Sequence, residues 1–256
     1  MRLVQQTVKR AVAILSILVA GAGGAVAAPA CAPLVNGGSA YTVCAFDPAK
    51  SDIRLFWRDE NGDAFGGFDR LAEAVAARGG RLAFAMNAGM FQPNLSPVGL
   101  YVENGQEERP INRRGGQGNF NLLPNGIFWV KGATAGVTET RKFAAQNIRP
   151  DYATQSGPML VVDGKLHPKI QPDGVSAKLR NGVGACDDRL VRFVISDDAV
   201  TFYAFATLFR DVLKCPNALF LDGSVSALYA PDLKRNDGWK SIGPIVGVVE
   251  GLKKAR

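Results

Sequence analysis

Short runs of β-forming residues, each closed by a Gly, Asn or Asp turn, recur along this chain and restrict it to a strand-rich fold. Residues 41–47 and 52–58 begin the pattern, and an Asn61-Gly62-Asp63 turn follows them. Only two stretches, 68–78 and 202–213, repeat apolar side chains at helical spacing. Because strands and helices do not alternate regularly, the sequence predicts a single α+β domain with mixed or antiparallel β-sheets and a few packed helices.

The other strands are predicted from the same signals. They are 81–86, 97–103, 119–123, 126–131, 136–143, 159–162, 189–196, 200–202, 218–221 and 242–249. We expect 119–123 to form a hairpin with 126–131, and 189–196 to form one with 200–202. Residues 107–118 and 167–179 lack periodicity and are predicted to be long loops.

The first 27 residues are expected to be a secretory signal peptide. Three basic residues in positions 1–10 precede an apolar run that ends in Ala25-Val26-Ala27, the order of a cleaved export signal. Cleavage there leaves residues 28–256 as a periplasmic or secreted domain that meets the membrane only through an uncleaved signal segment. An uncleaved anchor is the alternative, but its strongly apolar core, residues 11–20, is short for a span of about 20 residues.

Removing that segment weakens the case for a nucleic-acid partner. The 256-residue chain has 30 Lys and Arg against 23 Asp and Glu, a net charge of +7; the signal segment holds three of the positive side chains, which leaves 7 − 3 = +4. A mildly basic surface with scattered cations is not a nucleic-acid signature. The sequence therefore predicts no nucleic-acid partner, and nothing in it sets the oligomeric state.

Four cysteines in an exported protein favour disulfides. They allow three pairings, of which Cys31–Cys44 with Cys186–Cys215 has the shortest loops and is preferred; the other two stay open. A zinc site is disfavoured because no two cysteines lie two to four residues apart. No metal or cofactor is predicted, although the sequence leaves room for a divalent cation.

Polar side chains at the ends of apolar strands are the first candidates for chemistry, since a buried strand holds them rigidly. Asn87 follows strand 81–86, and Asp222 follows strand 218–221. An Asn offers a donor and an acceptor, and a carboxylate can act as acid, base or nucleophile. Arg180 precedes small residues and could present its guanidinium to a phosphate. The alternatives are a turn Asn, a capping Asp and a solvated Arg.

Three further features are weaker candidates. Ser156-Gly157 precedes a proline, which is also a common turn sequence. The glycine-rich segment 113–119, which begins with two arginines, could hold an anion through guanidinium and backbone N–H groups, but it matches neither the Walker A nor the dinucleotide pattern. His167 is the single histidine, so a site with two histidines is excluded; a lone histidine is more often structural.

The order of these features resembles the phosphodiester glycosidase family, which includes the uncovering enzyme, and in particular its bacterial exported branch. Family members carry an Asn-Gly-Gly-Phe-Phe-like motif after a strand, a Ser/Gly-Gly-Pro segment, an Arg-led segment ending in Gly, and a strand ending in Asp-Gly-Gly-x-Ser. The corresponding segments are Asn87–Phe91, Ser156–Pro158, Arg180–Gly184 and Asp222–Ser226. The resemblance covers about residues 40–250.

The resemblance implies an exported hydrolase that cleaves a sugar-1-phosphodiester in an envelope or extracellular glycan. Asp222 would be the nucleophile or the base for water, Arg180 would hold phosphate, and Asn87 would position hydroxyl or phosphate oxygens; these three are the expected catalytic residues. The partner would be a sugar-phosphate or glycopolymer substrate. The expected substrate-binding residues are Gly89, Phe91, Ser156, Gly157, His167, Asn181, Gly223 and Ser224.

The chain departs from the family pattern near the expected substrate. Ala88 and Met90 stand where a glycine and a phenylalanine are usual, and Ser224 replaces a glycine, so the pocket shape and the substrate are affected more than the fold. The main alternative is a non-catalytic binder of phosphodiester-containing envelope glycopolymers. A serine hydrolase is disfavoured because the Gly-x-Ser-x-Gly elbow does not occur.

Overall fold

The predicted strands pair into three antiparallel sheets. The computed structural model describes residues 30–223, 225–238 and 240–252. The strands are β1 (Cys31–Asn36), β2 (Ser39–Phe46), β3 (Asp52–Phe56), β4 (Arg81–Asn87), β5 (Tyr101–Glu103), β6 (Gln106–Arg109), β7 (Gly126–Lys131), β8 (Thr134–Glu139), β9 (Tyr152–Ser156), β10 (Met159–Val162), β11 (Lys165–Leu166), β12 (Asn181–Ala185), β13 (Val191–Ser196), β14 (Asn217–Asp222), β15 (Leu228–Ala230), β16 (Arg235–Asn236) and β17 (Ile245–Glu250).

Strand order within each sheet differs from chain order, so each sheet joins distant segments. Sheet one is β1-β2-β13-β12-β14-β10-β11, sheet two is β16-β15-β4-β17-β3, and sheet three is β6-β5-β9-β7-β8. The helices are α1 (Phe68–Ala77), α2 (Thr140–Gln146) and α3 (Phe202–Thr207), the last continuing as a π-helical turn over Leu208–Val212. The α+β prediction is confirmed, and the described strand pairs are antiparallel.

The three sheets bury their inner faces against one another. Phe193 of sheet one lies at the centre, with its ring centroid 5.1 Å from that of Phe84 of sheet two and 5.5 Å from that of Phe128 of sheet three. All three rings are almost fully buried. Burial of each such side chain stabilises the fold by about 1.5–3 kcal/mol, so this contact fixes how the sheets meet.

Each helix covers the outer face of one sheet. Phe68 and Leu71 of α1 pack against sheet two, Phe143 of α2 packs against sheet three, and Phe205 of α3 packs against sheet one. This arrangement leaves the strand ends open for polar residues, because the apolar faces are already covered. Within the described ranges, no helix combines the length and apolar composition needed to cross a bilayer.

The preferred disulfide pairing is confirmed. Cys31 and Cys44 face each other across β1 and β2, and their sulfurs are bonded. Cys186, just after β12, is bonded to Cys215, just before β14. The predicted signal peptide, residues 1–27, lies outside the described residues, so the structure leaves it a prediction.

Some predicted elements are wrong, and side-chain caps explain two of the errors. The strand predicted over 136–143 ends at Glu139, whose carboxylate accepts the Lys142 N–H at 2.9 Å and starts α2. The strand predicted over 200–202 does not form, because Thr201 caps α3 by accepting the Ala204 N–H at 3.1 Å. Residues 119–121 form a 3₁₀ turn instead of a hairpin strand, and the predicted loop from 107 contains most of β6.

Candidate active site

Strands from all three sheets end at one place, and each contributes a predicted site residue. β4 of sheet two ends at Asn87, β9 of sheet three ends at Ser156, and in sheet one β12 begins at Asn181 beside the end of β14 at Asp222. The first three side chains are fully buried, and Asp222 is 8% exposed. Because three rigid sheets position them, these polar groups are held in a fixed arrangement.

A chain of hydrogen bonds joins Asn87 to Asp222 through Asn181. The Asn181 side-chain amide donates to Asn87 Oδ1 at 2.8 Å and to the Asn87 carbonyl at 3.0 Å. Asn181 Oδ1 accepts the Asp222 N–H at 2.8 Å. The Ala227 N–H also donates to Asn87 Oδ1, at 3.0 Å. The buried Asn181 amide thus joins Asn87, 94 residues before it, to Asp222, 41 residues after it.

The Asn87 amide group retains an unused donor. Two N–H groups donate to Asn87 Oδ1, which fixes the orientation of the amide and leaves Nδ2 as the donor atom. Asn87 Nδ2 is buried and makes no hydrogen bond with any described residue. Buried donors are nearly always paired in folded proteins. An acceptor atom of a substrate could take up the hydrogen bond that Asn87 Nδ2 leaves unmade.

Asp222 is held through its backbone on both sides. Besides the bond to Asn181, its carbonyl accepts the Ser226 hydroxyl at 3.0 Å. The Asp222 carboxylate accepts the Gly223 N–H through Oδ1 at 2.6 Å. A carboxylate on an immobilised backbone at the end of an apolar strand is suited to act as a base or nucleophile. Ser224, a predicted substrate-binding residue in this loop, lies outside the described residues.

Arg180 is a buried cation that has no carboxylate partner among the described residues. Its side chain is among the largest that are fully buried, and among the described ion pairs none includes it. Nε donates to the Val200 carbonyl at 2.9 Å and Nη2 to the Ser176 carbonyl at 2.7 Å. Cζ lies 3.7 Å from the ring centroid of Phe202. Burial lowers the pKa of Arg180 to about 10, so the guanidinium stays charged at neutral pH.

The remaining guanidinium nitrogen lies beside the Asp222 loop. A Cβ placed on Gly223 would be 3.7 Å from Arg180 Nη1. Arg180 directly precedes β12, whose first residue, Asn181, accepts the Asp222 N–H through Oδ1. The guanidinium and the Asn181 amide therefore both lie beside the Asp222–Gly223 segment.

The glycines of the predicted motifs allow the three sheets to approach closely. Gly89 has a φ of 139°, and a Cβ there would lie 3.2 Å from Thr154 Oγ1. A Cβ on Gly157 would lie 2.7 Å from the Phe120 carbonyl oxygen. Ser156 donates through Oγ to the Leu221 carbonyl at 2.9 Å, which ties sheet three to the strand that ends in the carboxylate.

Two predicted substrate-binding residues lie at the periphery. Phe91 packs against Gly243, where a Cβ would be 2.5 Å from Phe91 Cβ. His167 is fully buried, its Nδ1 accepts the Lys169 N–H at 3.1 Å, and burial lowers its pKa. His167 also contacts Leu160 of β10 and the backbone of Leu122 and Leu123, and its part in substrate binding stays a prediction.

Gln155 organises the site, although it was not among the predicted site residues. Its Oε1 accepts the N–H groups of Leu100 at 3.0 Å and Asn112 at 2.8 Å. Its Nε2 donates to the Asn112 carbonyl at 2.6 Å and to Thr140 Oγ1 at 3.2 Å. Three of these hydrogen bonds fix the loops at Leu100 and Asn112, and the fourth reaches Thr140, the first residue of α2. The one sequence signal was its position directly before the Ser-Gly-Pro segment.

A carboxyl group with a raised pKa lies on sheet three. Glu103 accepts the Tyr101 hydroxyl at 2.8 Å, and burial raises the pKa of Glu103 from 4.5 to about 7. This group sits beside β3 and not among the strand ends, so it bears on stability more than on chemistry. The described residues include no cluster of three or more His, Cys, Asp or Glu side chains that could hold a metal ion.

The antiparallel three-sheet fold thus brings buried amide, carboxylate and guanidinium groups together at its strand ends. A family model for phosphodiester glycosidase matches residues 80–248, which include all the strand ends described above. The chain therefore belongs to the phosphodiester glycosidase family.

The relatives extend this assignment. The chain is 36% identical over 190 residues to the uncharacterized protein YigE of Escherichia coli, covering 74% of this chain and 73% of that protein. Its fold is similar to the zebrafish N-acetylglucosamine-1-phosphodiester alpha-N-acetylglucosaminidase catalytic domain, auto-inhibited by its pro-peptide (TM-score 0.57, 14% identity, 85% and 81% of the two chains). It is also similar to a hypothetical protein from Synechocystis (TM-score 0.55, 15% identity, 86% and 61%). At these identities the solved structures show the fold alone.

Proposed function

We propose that this protein is a hydrolase that cleaves the bond between an anomeric carbon and a phosphodiester in an envelope or extracellular glycan. Water supplies the oxygen that bonds to the anomeric carbon, while the carbon–oxygen bond to phosphate breaks and its electron pair stays with the phosphate. The products are a free sugar and a phosphomonoester. Two disulfides support action in the periplasm or outside the cell.

The observation that carries this proposal is the buried Arg180, which lies next to the Asp222 loop and forms no ion pair with any described residue. A phosphate leaving group needs positive charge more than a strong general acid, and a fixed cation in a dry site stabilises the developing negative charge. Arg180 Nη1 lies beside the Asp222–Gly223 segment, and there it would meet a phosphate of the bound substrate. Among the described ion pairs none includes Arg180, so its charge is available to the substrate.

Asp222 and Asn87 supply the other two functions. Asp222 acts on the anomeric carbon, as the nucleophile or as the base for water, because an oxocarbenium-like transition state is stabilised by a nearby carboxylate. The free Asn87 Nδ2 donates to a sugar hydroxyl or phosphate oxygen. Asn181 is a positioning residue, since it holds both partners through one amide.

The test is hydrolysis of an N-acetylglucosamine-1-phosphodiester by the purified protein, with separate detection of free sugar and phosphomonoester. We expect both products from the wild type and at least about a hundredfold less from Asp222→Asn. Asp63→Asn, which changes an exposed turn carboxylate, is the matched control and should retain full turnover. Unchanged hydrolysis by folded Asp222→Asn would refute the role of Asp222; retention of intact polymer without products would indicate a binder.

A further inference from the structure

A groove with three arginines lies beside the candidate active site. It has a volume of about 590 Å³ and is lined by Arg109, Arg113 and Arg114, with Val98 and Gly99 among the other lining residues. The three arginines are exposed. Within the described residues none of them forms an ion pair, and Arg109 makes only a long hydrogen bond of 3.4 Å from Nε to the Pro97 carbonyl.

The groove is attached to the site by fixed contacts. Gln155, the residue before Ser156, holds Asn112 at both its N–H and its carbonyl. The Arg114 N–H donates to Asn112 Oδ1 at 3.0 Å, so the arginine pair extends from an anchored residue. On the other side, the Val98 N–H donates to the carbonyl of Met90 at 3.2 Å, within the Asn87–Phe91 motif.

The positive surface continues past the groove. Arg113 also lines a neighbouring cavity of about 230 Å³ together with Arg141 and Glu139. The two cavities together present four arginines against one carboxylate. Such an excess of unpaired guanidinium groups attracts a ligand that carries several negative charges in a row.

We propose that the arginine groove, defined by Arg109, Arg113 and Arg114, binds a second phosphate of the substrate, which is a glycan with repeated phosphodiesters. This inference rests on the proposed function, because it places one phosphate at Arg180 and the next in the groove. Guanidinium groups match phosphate oxygens in geometry and charge. Neither cavity is lined by an aromatic side chain, so bases of a nucleic acid would find no stacking surface there.

Two soluble substrates test the inference: an N-acetylglucosamine phosphodiester with one repeat and an oligomer with several. In the double variant Arg113→Gln, Arg114→Gln, we expect the preference for the oligomer, measured as the ratio of the two kcat/KM values, to fall about tenfold. The change should come from a higher KM for the oligomer. The control double variant Lys131→Gln, Arg149→Gln removes the same charge from exposed positions outside both cavities and should keep the ratio.

Binding to the Asp222→Asn protein separates this inference from the proposed function. We expect the oligomer to bind more tightly than the single repeat, with a Kd that the groove variant raises about tenfold. Groove-dependent binding without hydrolysis by the wild type would refute the proposed function alone. Equal binding of both substrates, or equal losses in the groove and control variants, would overturn the groove assignment. A single-stranded DNA oligomer that bound equally well through the groove would also overturn it.

Discussion

Replacing Arg180 with methionine separates its functional role from a structural one. The substitution keeps the length and apolar contacts of the side chain while removing the charge and its donors. If the buried guanidinium serves the substrate, the variant should remain folded and lose activity. If it serves the fold, the variant should lose stability instead.

The structure gives the size of the stability effect. The lowered pKa of Arg180, about 10, means that the charged form costs the folded protein on the order of 3 kcal/mol, since each pKa unit corresponds to about 1.4 kcal/mol. Methionine relieves this cost. It removes the charge-assisted hydrogen bond to the Val200 carbonyl, which keeps the Lys178 N–H as a donor at 3.1 Å, a loss of about 1.5–3 kcal/mol. It also removes the contact with Phe202, a loss of about 1–2 kcal/mol. The relieved cost of the buried charge and the loss of these two contacts therefore nearly cancel.

We therefore expect the free energy of unfolding of Arg180→Met to lie within about 2 kcal/mol of the wild type. The kcat/KM for phosphodiester cleavage should fall by about a hundredfold to a thousandfold, as for loss of a group that stabilises developing charge. Denaturant unfolding and initial-rate kinetics measure the two quantities. Arg149→Met, at an exposed and unpaired position, should change neither.

Arg180→Met should also lose the stabilisation by phosphate ligands that we expect for the wild type. A phosphomonoester product that binds the folded wild type at Arg180 raises its Tm with concentration, and this rise should be absent in Arg180→Met. The reasoning is refuted if the variant loses more than about 4 kcal/mol of stability, as when a buried charge pair is broken. It is equally refuted if the folded variant keeps full kcat/KM.

Three further predictions concern stability. Between pH 4.5 and about 7 the folded state binds more protons at Glu103 than the unfolded state does, so the Tm should fall as pH rises through this range. Glu103→Gln should remove that slope, while Glu107→Gln, at an exposed position, should keep it. Asn181→Ala leaves buried groups of two strands unpaired and should lower the free energy of unfolding by about 2–4 kcal/mol in denaturant titrations; a loss below about 1 kcal/mol would contradict the hydrogen-bond chain. Removing the Cys186–Cys215 bond, which spans 29 residues, should cost about 3–4 kcal/mol, and an unchanged unfolding midpoint would count against that pairing.

Sequence patterns were sufficient to predict the strand ends that hold the candidate site residues. The apolar runs before Asn87 and Asp222 are long enough to be buried strands, and a polar residue directly after such a run must lie at the end of a sheet. The two predicted helices and the disulfide pairing also follow from local spacing. These features depend on neighbours in the chain, which the sequence displays.

The contacts between strand ends could not be predicted in the same way. Asn181 meets Asn87 across 94 residues because of the order of strands in two sheets, which local patterns do not determine. The unused Asn87 donor depends on the Ala227 N–H, 140 residues away. The Glu139 cap hid the start of α2, and the Thr201 cap replaced the strand predicted over 200–202, while the helix predicted from residue 202 does begin there.

The most direct test of the account is the site of bond cleavage, read by hydrolysis of an N-acetylglucosamine-1-phosphodiester in heavy-oxygen water. Attack on the anomeric carbon next to Asp222 places the heavy oxygen in the released sugar and leaves the phosphomonoester unlabelled. Mass spectrometry of the two products, taken before the sugar exchanges its anomeric oxygen with solvent, distinguishes the outcomes. We expect label in the sugar only. Label in the phosphate would show cleavage at phosphorus and contradict attack on the anomeric carbon.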